Sequence, residues 1–201
     1  MKNNNLIKIL LSLSMVFSMV CLVEAKATES IVINGNIFIK HTADELIEII
    51  EEDSNIYSDD KIELINKINT LQSMRITYDY WTIYSTCVVN SSYTCRPYFY
   101  TYSSFGNGGY PNSIEEILYA NIDRNYNGTS KQFGGDLYYN LEASNCLFWD
   151  LNGDFYNNGN TTFNLGVSVE VGEAAKTTFT ASMAYSSNHF AYCHKDGRVK
   201  F

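Results

Sequence analysis

Asp150, Asn152 and Asp154 stand at alternate positions, and their spacing is the first in this chain that points to a chemistry. Oxygen ligands at positions one, three and five are how a calcium loop begins. The match then stops. Position six is Phe155 where the loop needs glycine, and position twelve is Thr161 where it needs a bidentate glutamate. Asn152-Gly153 within the same stretch reads as a hairpin turn. The turn is the preferred reading, with calcium as the weaker alternative and no other metal or cofactor expected.

His189, Cys193 and His194 bring a nucleophile and bases into one short segment, the raw material of a Cys–His dyad. On an extended strand His189 and Cys193 share a face but lie four residues, about 13 Å, apart. Cys193 and His194 point to opposite faces. No dyad arises from this strand alone. The chain has no serine elbow and no phosphate loop. A carboxylate pair for glycoside hydrolysis need not be close in sequence, but nothing singles one out. The reading leans away from an enzyme and assigns no catalytic residue.

The aromatic residues are the least generic signal: 16 Tyr, 11 Phe and 2 Trp. From Tyr78 to Tyr84, Tyr78, Tyr80, Thr82 and Tyr84 share one face of a predicted strand, and Asp79, Trp81 and Ile83 the other. Its predicted partner runs from Thr94 to Tyr102 and carries Tyr98, Tyr100 and Tyr102. Tyr78, Tyr80, Trp81, Tyr84, Tyr98, Tyr100 and Tyr102 are therefore the candidate binding aromatics. Exposed, they would offer a platform for sugar rings or a protein partner. The plainer reading buries one face and pairs the remaining rings across strands.

Five cysteines are present. Cys21 falls in the leader described below, which leaves Cys87, Cys95, Cys146 and Cys193. An even number in an exported chain predicts two disulfides. Cys87 and Cys95 flank the turn Asn90-Ser91-Ser92, so Cys87–Cys95 is the expected first bridge and Cys146–Cys193 the remainder. Zinc is disfavoured because no C-x-x-C pair exists.

The elements that must position these residues divide at Met74. Before it, Asn34-Gly35 marks a hairpin between isoleucine-rich segments. Thr42 and Glu45 form a capping box, with Leu46, Ile49 and Ile50 on one helical face. A second helix is predicted from Ser58, with Leu64, Ile65, Ile68 and Leu71 as its stripe. After Met74, alternation replaces helical spacing. Ser113 and Glu116 predict one short inserted helix carrying Ile114, Ile117 and Leu118. Asn152-Gly153 and Asp196-Gly197 read as turns between short strands. The predicted fold is α+β: a short N-terminal helical pair, residues 28–74 with their lead-in, then a mainly antiparallel β-sandwich over residues 75–201, packed together as one unit.

Residues 1–27 read as a signal peptide. Lys2 and Lys8 precede an apolar run from Ile9 to Val23, and Ala25-Lys26-Ala27 predicts cleavage after Ala27. Two rival readings are less favoured. A lipoprotein at Cys21 would want other residues than Ser18 and Val20 before it, and an N-terminal anchor is interrupted by Lys8, Ser12, Ser14 and Ser18. The formal net charge is −8, which repels polyanions and argues against nucleic acid. In composition alone, an Asn/Ile/Lys-rich leader before a Tyr-rich domain is similar to exported proteins of AT-rich Gram-positive bacteria. The expected role is a secreted, acidic binding protein without catalysis, whose partner is a cell-surface glycan or protein. The alternative is a toxin or bacteriocin acting on membranes through an amphipathic hairpin at Asn164–Ser186, where Leu165, Val167, Val169 and Val171 alternate with small polar residues.

Overall fold

The computed structural model describes residues 30–74, 78–104, 112–125, 128–164, 166, 168–182 and 188–200. The leader, with Cys21 and the cleavage site after Ala27, lies outside these residues.

Asn34 and Gly35 both adopt positive φ, 51° and 80°, as a type I′ turn requires. They join β1 (Ser30–Ile33) to β2 (Asn36–His41). The capping box forms at the next boundary: Thr42 Oγ1 accepts from the Glu45 amide, and the Glu45 carboxylate accepts from the Thr42 amide. Helix α1 (Ala43–Glu52) follows, and α2 (Ser58–Ser73) begins after Tyr57 with no side-chain cap.

Among the described residues ten strands follow: β3 (Tyr78–Tyr84), β4 (Cys87–Asn90), β5 (Tyr93–Ser104), β6 (Glu116–Asp123), β7 (Gln132–Ala143), β8 (Cys146–Tyr156), β9 (Asn160–Asn164), β10 (Val169–Glu170), β11 (Ala174–Ser182) and β12 (His189–Lys200). Seven strands make one sheet in the order β1-β2-β3-β5-β6-β10, with β4 on β5. Five make the other, β12-β8-β7-β11-β9. The pairs are antiparallel. The fold is thus mostly β, with two antiparallel sheets arranged like a sandwich and two helices.

Between the sheets, Phe38, Trp81, Ile83 and Phe99 of the first meet Phe133, Leu137, Leu151 and Phe155 of the second. Buried hydrogen bonds also bridge the layers. Trp149 donates its indole N–H to Ser85 Oγ at 3.0 Å, and Thr177 Oγ1 donates to the Ala120 carbonyl at 3.1 Å. The opposite face of the larger sheet carries Tyr80, Tyr98, Tyr100 and Tyr119, and Leu46, Ile50, Leu64 and Ile68 of the helices pack on it.

Four expectations are corrected. The residues predicted as an inserted helix, Ser113 to Leu118, lead into and form part of strand β6. Seven consecutive residues of β6 are buried, because helices cover one face and the second sheet the other. A strand buried on both faces loses its alternation, and its apolar run then mimics helical spacing.

Neither Asn152-Gly153 nor Asp196-Gly197 is a turn. Both lie within strands, β8 and β12. Their glycines mark close approach instead. A Cβ on Gly153 would stand 2.4 Å from the Gly134 carbonyl oxygen, and one on Gly197 would stand 2.7 Å from the Trp149 ring.

The expected hairpin Asn164–Ser186 is not one hairpin. Val169 pairs with Ile117 in the larger sheet, whereas β11 pairs with β7 and β9 in the smaller. Phe179 and Val169 are spent on the inter-sheet core. Leu165, Val167 and residues 183–186 of that segment lie outside the described residues.

The bridge Cys146–Cys193 is ruled out by register. Cys146 pairs with Lys200 and Cys193 with Gly153, a separation of seven residues or about 23 Å along the strand. Cys87 and Cys95 are direct partners, as expected, but no cysteine pair among the described residues is at bonding distance.

Candidate binding surface

The sequence-predicted aromatics are mostly structural. Trp81 is buried between the sheets with its indole N–H on Ser103 Oγ at 3.2 Å. Tyr80, Tyr98 and Tyr100 are buried beneath the helices. Their hydroxyls sit at the layer boundary, where Asp53, just past the end of α1, accepts from Tyr98 at 2.8 Å and Tyr100 at 3.4 Å. Tyr102 donates to the buried Glu116 at 3.1 Å and packs edge-on against Tyr78. Tyr84 lies 4.4 Å beneath the Arg96 guanidinium. These rings form no open platform, because the helices occupy the face they present.

Tyr84, Tyr98 and Tyr100 line a cleft of about 170 Å³ together with Asp53 and Asp123. Its polar groups are already engaged. Arg96 donates to Asp123 at 2.6 and 3.2 Å, and Arg124 donates to the Lys131 carbonyl, Gln132 and Thr161. The cleft is a braced corner.

The outer face of the five-stranded sheet is different. Along β8 the inward positions are Leu147, Trp149, Leu151 and Phe155, all buried. The outward positions are Phe148, Asp150, Asn152, Asp154 and Tyr156. The supposed calcium ligands therefore line one face of a strand, about 7 Å apart in succession, and do not converge. Each is met from β12 by a donor one pair along the ladder. His194, opposite Asn152, reaches Asp150 at 3.1 Å. Tyr192, opposite Asp154, donates to Asn152 at 2.8 Å. His189, opposite Tyr156, reaches Asp154 at 2.8 Å.

A bulge between His189 and Ala191 makes this ladder complete. Strict alternation puts His189 on the face of Cys193. The extra residue, Phe190, packs toward the core, and His189 moves to the outer face with Tyr192 and His194. Cys193 remains inward and buried. His41 is remote from this ladder: it bonds Thr82 Oγ1 at 2.8 Å, and burial holds its imidazole below the usual histidine range.

The surface continues across β7 and β11. Tyr138 stands opposite Asp150 and Lys176. Asp136 accepts from Thr178 at 2.8 Å and from Lys176 at 3.2 Å. Arg198 lies over Phe148 at 4.7 Å and is held by both Glu142 oxygens at 2.9 Å. Tyr192 is 58% and Tyr138 37% exposed. The result is a sheet face of exposed rings among carboxylates, amides and imidazoles. The Asn152-Gly153 turn signal hides this face in the sequence, although the period-two polarity of Cys146 to Tyr156 points to it. No group of histidine, cysteine and carboxylate side chains among the described residues is arranged to hold a metal ion.

Comparison with protein-family models, curated proteins and solved structures finds no match.

Proposed function

We propose that this is an extracellular binding protein without catalysis, and that it recognises a neutral cell-surface glycan with the outer face of its five-stranded sheet. One observation carries the reading: the exposed rings of Tyr138 and Tyr192 flank the row Asp150, Asn152 and Asp154. Sugar rings present apolar C–H faces that stack on such aromatics. Their hydroxyls both donate and accept, so carboxylate, amide and imidazole groups within one row satisfy them. The acidic chain disfavours a polyanionic ligand. The secretory leader and the reach of this face toward other molecules belong to the same proposal.

Glycan-array binding followed by calorimetry tests it. At least one neutral glycan class is expected to bind, and Tyr138→Ala and Tyr192→Ala are each expected to weaken it about tenfold. Binding that survives both substitutions, or no binding to any neutral glycan by a folded protein, defeats the proposal.

A further inference from the structure

Three cysteines from both sheets converge in the core. Cys87 on β4 and Cys95 on β5 are direct partners in the larger sheet, and Cys193 projects inward from β12 of the smaller. All three are buried. The sulfurs of Cys87 and Cys193 lie 3.8 Å apart across the interface.

We infer that oxidation of this protein forms a single disulfide between the two sheets, Cys87–Cys193, and leaves Cys95 and Cys146 as thiols. The Cys87 thiol touches both candidates, Cys193 across the interface and Cys95 beside it on the same sheet, and strand geometry favours Cys193. Directly opposed residues of an antiparallel pair have Cβ atoms about 4.5–5.5 Å apart, at or beyond the roughly 3.5–4.5 Å a disulfide accepts. Their side chains also leave the sheet side by side. Cys193 approaches from the facing sheet instead, with its sulfur 3.8 Å from that of Cys87, and the bond draws the two sulfurs together to about 2.05 Å. Cys146 is held elsewhere, with its thiol donating to Glu142 at 3.3 Å.

The reaction requires a disulfide donor, either a low-molecular-weight disulfide or an oxidoreductase. One cysteine thiolate attacks a donor sulfur, forming a mixed disulfide and expelling one thiolate. The second cysteine thiolate then attacks the mixed disulfide and expels the other. Two cysteine thiols are oxidised, the donor is reduced to two thiols, and the cysteine protons pass to the departing thiolates. Contact with the Cys87 sulfur and burial raise the Cys193 thiol far above its usual range. Its thiolate is scarce once the fold has closed, so the bond forms as the chain folds.

The test is refolding of the purified protein with oxidised and reduced glutathione. Free thiols are then alkylated and the digest mapped by non-reducing mass spectrometry. The expected product links the peptides of Cys87 and Cys193, with Cys95 and Cys146 alkylated. A dominant Cys87–Cys95 or Cys95–Cys193 link, or alkylation of all four, overturns the inference. Thermal melting gives a second readout, with each protein compared with itself with and without reductant. Reductant is expected to lower the wild-type melting temperature by roughly 5–15 °C. It should leave Cys193→Ser unchanged and still lower Cys95→Ala. Loss of the response in Cys95→Ala overturns the assignment.

Discussion

The tyrosines of the larger sheet separate by what their hydroxyls meet. Tyr98 donates to Asp53 at 2.8 Å, whereas the buried hydroxyl of Tyr80 has no partner among the described residues. An unmet buried hydroxyl costs its lost hydration. Tyr80→Phe is therefore expected to be neutral or to stabilise by up to about 1 kcal/mol, while Tyr98→Phe, which removes a bond to a carboxylate, costs about 1.5–3 kcal/mol. Urea unfolding of the two variants checks the pair, and equal losses would refute the distinction. Glu116 shows the same logic with charge. Almost fully buried, it is paired with Lys67 and accepts from Tyr102, while Lys67 also donates to Ser168 at 3.0 Å. The cluster ties α2 to the sheet edge formed by β6 and β10.

At the scale of elements, local chemistry and tertiary packing compete for the same dipeptides. Asn34-Gly35 became a turn, with both residues at positive φ. Asn152-Gly153 did not, because Gly153 faces Gly135 on β7 and the two strands approach too closely there for a side chain. Gly153→Ala places a methyl group against fixed backbone atoms. It is expected to destabilise by about 1–3 kcal/mol and to disturb the Asp150–Asp154 row. A shift in the denaturation midpoint, with loss of glycan binding if the proposed function holds, would show both effects; an unchanged midpoint would contradict the packing argument.

For the whole molecule, buried phenols gather where the helices meet the larger sheet, at Tyr80, Tyr98, Tyr100 and Tyr119. Burial pushes the Tyr80 phenol up to about 12 and that of Tyr98 well above its ordinary range, the latter with help from Tyr119, Tyr100 and Asp53. The sign follows from proton linkage. Unfolded tyrosine ionises near 10 while the folded phenols stay protonated, so their contribution is intact below pH 10. It is lost as pH rises through the folded values, by about 1.4 kcal/mol per pH unit for each such tyrosine. The protein is expected to unfold steeply between pH 10 and 12, with phenolate absorbance rising together with loss of circular dichroism. Phenolate formation well before unfolding would show that the rings are accessible.

The sequence by itself determined the local events. The Asn34-Gly35 turn, the Thr42–Glu45 capping box, the Tyr78–Tyr84 strand and its antiparallel partner all depend on residues within a few positions of one another or on simple alternation. Those signals survive in any surroundings that permit them. Tertiary structure decided what long-range neighbours control. It made a strand of Glu116 to Asp123 because both faces found cover. It set the register that separates Cys146 from Cys193, and placed Cys193 against Cys87. It turned the predicted aromatic platform into core by laying two helices over it. It also assembled Asp150, Asn152, Asp154, His189, Tyr192 and His194 into one surface, through a bulge and a strand pairing between residues some 40 positions apart. Turn chemistry is a property of a dipeptide; which face of a strand meets solvent is a property of whatever packs on the other side.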